Sequence, residues 1–133
     1  MPKAFRPALQ SACADLYFIA GAASSIAEDA KGPVPRTVGQ CVRTVISELG
    51  SRLEGAPDSG SAVAYANGLA GVSYDVVTAL RRSRVGDPVT LCLVSVPRNC
   101  PPGDDRGKVY SATNSRTKER WSLPDSQHSC GGA

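Results

Sequence analysis

Apolar residues recur every three or four positions through most of the chain before residue 85, and this spacing predicts three helices. The first covers residues 7–30, with Pro7 at its first helical position and the proline- and glycine-rich segment 31–35 at its end. The second begins at Thr37. Its apolar stripe consists of Val38, Val42, Val45, Leu49 and Leu53. The third is predicted over residues 61–84.

The pattern becomes extended after residue 86. Residues 89–96 are β-branched and apolar on both faces, which is typical of a strand covered by helices. A proline- and glycine-rich loop follows at 97–107. Residues 109–113 and 120–123 predict two more strands joined as a hairpin through 114–118. The sequence therefore predicts an α+β fold, with about three helices packed on a small three-stranded antiparallel sheet formed by the C-terminal third.

Length and composition predict one globular domain. A chain of 133 residues has the usual size of a single domain, with a helical part at 1–86 and a β-rich, cysteine-containing part at 87–133. The net charge of +3 is spread along the chain and does not decide between protein and nucleic-acid partners. No apolar stretch approaches the roughly 20 residues that cross a bilayer, so no membrane span is predicted.

Five cysteines are many for a reducing cytosol, and they favour a periplasmic or secreted bacterial protein over a cytoplasmic one. The disulfide candidates are Cys13, Cys41, Cys92, Cys100 and Cys130. Two of the last three sulfurs are expected to form a bridge that ties the C-terminal tail to the sheet, because tails fray unless they are held. A bond between Cys13 and Cys41 is an option if the first two helices pack antiparallel.

Zinc is the alternative explanation for the C-terminal thiols. The ligands would be Cys92, Cys100, His128 and Cys130. Their spacing argues against a zinc site, because structural zinc ligands usually come in close pairs two to four residues apart. Neither a metal nor any other cofactor is therefore predicted.

A compact, cysteine-rich chain without an assembled catalytic pattern favours a small non-catalytic binding protein, such as an inhibitor or immunity-type partner of another protein. Recognition usually lies in loops carried by a rigid scaffold. The predicted contact residues lie in the 98–106 loop and at the hairpin tip, and they are Arg98, Asp104, Asp105, Arg106, Asn114, Arg116 and Lys118.

Two other functions stay open. A small nuclease or hydrolase toxin would use His128, the only histidine, as general acid or base. Arg116, Lys118 or Arg120 would then stabilise an anionic transition state. A nucleic-acid-binding module, the less favoured alternative, would use the same basic hairpin, with stacking on its aromatic residues and contacts to phosphates.

Overall fold

The structure is a computed structural model that describes residues 31–132, and this part of the chain consists mainly of six strands. The strands are β1 (Cys41–Gly50), β2 (Ser61–Tyr65), β3 (Ala70–Ser73), β4 (Pro88–Ser95), β5 (Val109–Asn114) and β6 (Arg120–Pro124). A 3-10 helix at Pro57–Ser59 and one short α-helix, α1 (Thr78–Arg81), complete the regular elements of the described residues. The helix predicted over 7–30 lies outside them.

The strands form one antiparallel sheet in the order β3-β2-β1-β4-β5-β6. Each half is a meander, and the two halves join where β1 pairs with β4. The sheet curls until its edge strands meet through side chains. Leu123 on β6 packs against Gly71 on β3 so closely that a Cβ at position 71 would lie 3.1 Å from the Leu123 Cβ.

The predicted fold of about three helices on a three-stranded sheet is wrong. The second predicted helix is β1, and residues 61–84 form β2, β3 and the four-residue α1. Residues 41–73, within the part predicted to be helical, are therefore mainly strands. Asn67 and Gly68 form the turn between β2 and β3, where Gly68 has a φ of 94° that favours glycine.

A β-bulge gives two inward residues of β1 a helical spacing, although the apolar stripe that predicted the helix does not face the core as a whole, because Val38, Val45 and Leu53 are exposed. The register shifts between Ile46 and Glu48, so Ser47 is an extra residue. Ile46 faces the core before the bulge, and Leu49 faces the same side after it. The two inward residues are three positions apart, which is helical spacing, although the backbone is extended.

The three C-terminal strands lie where the sequence predicts them. β4, β5 and β6 match the predicted strands, and the connection at residues 114–118 joins β5 and β6 as an antiparallel hairpin. β4 is not covered on both faces as predicted, because Val94 on its outer side is exposed. Its alternate residues Val89, Leu91 and Leu93 are buried and belong to the core.

The core fills the inside of the curled sheet. Its largest contributions are aliphatic residues of β1 and β4 together with Tyr65, Tyr110 and Trp121. The indole Nε1 of Trp121 donates a hydrogen bond of 2.9 Å to the Tyr65 hydroxyl, which joins β6 to β2 across the interior. Burial raises the pKa of Tyr65 to about 12. The protonated phenol is thus the form that the fold accommodates.

The described part of the chain contains two disulfides. Cys41 and Cys92 are directly paired residues of β1 and β4, with Cα atoms 4.0 Å apart. Cys100 and Cys130 join the 97–107 loop to the tail. The predicted bridge between two of the last three cysteines is thus confirmed, although it ties the tail to the 97–107 loop and not to a strand. Cys41 is bonded to Cys92 instead of to Cys13, which lies outside the described residues. Between residues 31 and 132, no helix is long and apolar enough to cross a membrane.

Candidate functional site

A groove of about 680 Å³ lies over the outer face of β1, β2 and β3, and we call it the β1–β3 groove. Directly paired residues of antiparallel strands share a face of the sheet. Two cross-strand rows therefore form its floor. One row is Glu48, Ala64 and Ala70, and the other is Gly50, Ala62 and Val72. Apart from Glu48, the floor consists of small or β-branched apolar residues.

The bulge at Ser47 decides which residues reach this floor. After the extra residue, Leu49 pairs with Val63, which is 3% exposed and faces the core. Glu48 and Gly50 consequently face outward, opposite Ala64 and Ala62. Without the bulge, the end of β1 would present Leu49 to solvent and bury Glu48, so the same local irregularity completes the core and creates the groove.

Arg52 fixes the walls of the groove. Its Nε donates to the Ser59 carbonyl oxygen at 2.7 Å, and its Nη1 donates to Gln127 Oε1 at 3.1 Å. The guanidinium carbon also lies 4.2 Å from the centre of the Tyr74 ring, within the range of a cation–π contact. One side chain thus joins the loop after β1 to the turn after β6.

The rim of the groove is acidic. Among the described residues that line it, the carboxylates are Glu48, Glu54 and Asp125, and the cation is Arg52. Asp125 is held in place because its Oδ1 accepts a hydrogen bond of 2.8 Å from the Gly107 amide. Glu48 and Glu54 are exposed and form no ion pair with any residue between 31 and 132. The groove therefore favours a cationic ligand with an apolar stem.

The predicted hairpin residues lie elsewhere, and Asn114 is not on the surface. Its side chain is fully buried and donates to Ser83 Oγ at 3.0 Å and to Asp87 Oδ2 at 2.9 Å. Its Oδ1 accepts from the amides of Arg116 and Thr117. Asn114 thus holds the hairpin to the segment that precedes β4.

Arg116 belongs to the same network, whereas Lys118 is exposed. The Arg116 guanidinium contacts both carboxylate oxygens of Asp87, at 2.8 and 3.0 Å. Hydrogen bonds from Arg116 and Asn114 hold the pKa of Asp87 well below its usual range. The Arg116 guanidinium is therefore already engaged by a protein carboxylate. The contact role predicted for Arg116 and Lys118 stays a prediction.

The predicted loop residues mostly fasten the tail. Arg106 forms two hydrogen bonds of 2.9 Å with Asp104, and the Gly131 amide donates to Asp104 Oδ2 at 3.0 Å. The Arg106 guanidinium holds the pKa of Asp104 well below its usual range. Asp105, whose pKa is lowered by a hydrogen bond from Lys108, and Arg98 are exposed. Their role as contact residues stays a prediction.

The residues proposed for catalysis are not adjacent. His128 is exposed and follows the C-terminal end of β6, whereas Arg120 begins β6 and Arg116 precedes it. Four residue steps along a strand span about 13 Å. The structure therefore does not bring His128 beside the cations of the hairpin tip, and the toxin and nucleic-acid alternatives stay predictions.

The sulfurs of the suggested zinc site belong to two separate disulfides. Cys92 is bonded to Cys41, and Cys100 is bonded to Cys130, so the three do not form a set of thiolates beside His128. In the part of the chain that the structure describes, no group of three or more histidine, cysteine, aspartate or glutamate side chains could hold a metal ion.

The β1–β3 groove is not predicted from the sequence, because the apolar spacing of its residues predicts helices. Two signals favoured strands. Val42, Thr44 and Ile46 are β-branched residues at alternate positions, and Asn67-Gly68 is a typical hairpin turn between alternating segments. The loop is one residue longer than an Asn-Gly turn, because Ala66–Gly68 connect the paired residues Tyr65 and Leu69. This loop length pairs Ala64 with Ala70, and that pairing defines the floor.

Comparison of the sequence with protein-family models, with curated proteins and with solved structures finds no match.

Proposed function

We propose that this protein is an exported, non-catalytic binding protein that holds a lysine- or arginine-bearing segment of another protein in the β1–β3 groove. The observation that carries the proposal is the combination of a largely apolar floor with an acidic rim. Lysine and arginine side chains have the matching form, an apolar stem with a charged end.

The small floor residues favour a close approach of the partner. Alanine and glycine side chains leave the backbone of β2 and β3 within reach, so a partner chain can lie against the sheet itself. Glu48 and Glu54 have no cationic partner among residues 31–132, so a positively charged ligand can approach them without displacing an existing ion pair. Electrostatic attraction of this kind mainly gives specificity and a faster association rate.

The two disulfides support export. Disulfides form and persist mainly in oxidising compartments, such as the periplasm or the extracellular space. A protein that acts there meets its partner without cellular reductants, and covalent cross-links keep its recognition surface in one arrangement.

A charge-reversal experiment tests the proposal. The probe is a short fluorescent peptide in which lysine and valine alternate, and the control peptide carries glutamate in place of lysine. We expect the lysine peptide to bind and the glutamate peptide not to bind. The double variant Glu48→Lys/Glu54→Lys is expected to bind it about tenfold more weakly, because two attractions become repulsions.

The matched control is Asp58→Lys/Asp75→Lys, which makes the same change in net charge at exposed residues outside the groove. It should change affinity less than about twofold at physiological salt, where distant charges are screened. Equal losses in both double variants, or absence of binding by the unaltered protein, would refute the proposal.

A further inference from the structure

We infer that the partner segment binds as an added antiparallel strand along the outer edge of β3, which pairs with no strand among residues 31–132, and that it lies beside the floor of the β1–β3 groove. The inference rests on the proposed function and specifies how the segment is held. Its ligand is an extended peptide segment with a basic residue at every second position.

The hydrogen-bond pattern of the β2–β3 hairpin shows which groups face the outer edge. The Tyr65 amide donates to the Leu69 carbonyl oxygen at 2.9 Å, so these two residues form a hydrogen-bonded pair. Hydrogen-bonded and non-hydrogen-bonded pairs alternate along antiparallel strands. The pairs Ala64–Ala70 and Ala62–Val72 are therefore non-hydrogen-bonded. The N–H and C=O groups of Ala70 and Val72 point away from β2.

These edge groups have no partner within residues 31–132. β3 ends the strand order, and no backbone hydrogen bond joins Ala70 or Val72 to the described residues beyond β2. β6 approaches β3 through Leu123 packed on Gly71 instead of through a ladder. An edge with unpaired N–H and C=O groups is a template for a further strand.

Half of the side chains of an added strand would lie on the same face of the sheet as the acidic rim. In an antiparallel pair, the residue opposite Ala70 or Val72 exchanges hydrogen bonds with it and points its side chain to the same face. That face continues the floor of the groove, which Asp125 also lines, whereas Glu48 on β1 is three strand spacings, about 14 Å, from the added strand and attracts it only at long range. The same residues of the partner thus supply both the backbone hydrogen bonds and the positive charges.

A proline substitution tests the backbone contact. Ala70→Pro removes an edge-facing N–H, and it removes no hydrogen bond to β2, so the sheet should still form. The control Ala70→Ser keeps the N–H and a small side chain. We expect the lysine–valine peptide to bind Ala70→Pro about fivefold more weakly, the effect of about one hydrogen bond, and to bind Ala70→Ser within twofold of the unaltered protein.

A second test leaves the protein unchanged and alters the peptide. N-methylation of the lysines removes the N–H groups that would face β3, whereas N-methylation of the valines removes those that face away. We expect the first peptide to lose at least about fivefold in affinity and the second to lose less than twofold. Equal effects of the two modifications, or a loss confined to the valine-methylated peptide, would overturn the antiparallel pairing.

The outcomes separate this inference from the proposed function. If the peptide binds in a manner sensitive to Glu48→Lys/Glu54→Lys but insensitive to Ala70→Pro and to N-methylation, strand addition is wrong and the charge-guided groove stands. If the unmodified lysine–valine peptide does not bind, the proposed function fails and strand addition fails with it.

Discussion

Replacing Asn114 by alanine should strongly destabilise the protein, because this side chain makes four hydrogen bonds in a fully buried position. Two of them reach Ser83 and Asp87, and two satisfy amides of the hairpin turn. A typical intramolecular hydrogen bond contributes about 1 kcal/mol net, and buried groups left unpaired cost more. Because water can reach part of the turn, we expect a total loss of roughly 3 kcal/mol.

The loss should be visible in thermal unfolding. For a domain of this size, 1 kcal/mol corresponds to about 4 °C, so Tm should fall by roughly 12 °C. Circular dichroism and urea unfolding would measure the change. Arg120→Gln is the matched control on the same hairpin, because Arg120 is exposed and its replacement should stay within about 0.5 kcal/mol.

A second variant separates the donated from the accepted bonds. Asn114→Asp keeps an acceptor for the Arg116 and Thr117 amides, but it places a carboxylate against Asp87, which the wild-type amide contacts at 2.9 Å. We expect this variant to be no more stable than Asn114→Ala at neutral pH. If Asn114→Ala shifted Tm by less than about 3 °C, the network would not hold the hairpin as we infer.

Two further predictions concern cross-links and ionisation. Removing Cys41–Cys92 by a double serine substitution should lower stability by roughly 2–4 kcal/mol, and by somewhat more than removing Cys100–Cys130, because the sequence separations are 51 and 30 residues. Urea unfolding with and without reductant measures both effects. The bridges would be contradicted if a thiol reagent labelled all four of these cysteines in denatured protein that had not been reduced. Tyr65 has a pKa of about 12 in the folded state, so it keeps a proton that the unfolded chain loses near pH 10. The free energy of unfolding should therefore fall as the pH rises between these two values, by about 1.4 kcal/mol per pH unit. A Tyr65→Phe variant should show a shallower decline over that window, and an identical pH dependence would refute this role of Tyr65.

The second half of the fold could be predicted from sequence because β4 is rich in β-branched residues, even though its register shifts between Leu93 and Ser95. In β4, buried and more exposed residues alternate from Pro88 to Val94, and few residues of this strand favour a helix. The hairpin of β5 and β6 follows a loop rich in proline and glycine, which separates the elements clearly. The tail bridge was also predictable, because three sulfurs lie in this part of the chain.

The first half could not be predicted because local preference and tertiary structure disagree. Val42, Val45 and Leu49 have the apolar spacing of a helix, but Val45 is exposed on the sheet, and the bulge at Ser47 returns Leu49 to the core side. Residues 62–70 contain four alanines, and alanine has the highest intrinsic helix propensity. Pairing on both sides of β2 overrides this preference. The β1–β3 groove follows from those pairings, as does the Cys41–Cys92 bond, so neither could be located before the strand register was known.

The order of the two bridges has a consequence for the covalent connectivity of the molecule. The first bond encloses residues 41–92 and the second encloses residues 100–130, so the chain contains two successive closed rings without overlap. A protease that cut the exposed segment at residues 53–55, or the tip of the turn at Gly68, would open the first ring without releasing a fragment. The nicked protein would migrate as one species until its disulfides were reduced, and two peptides would then separate. Hydrolysis of either segment alone would thus leave β3 and its outer edge attached to the rest of the sheet.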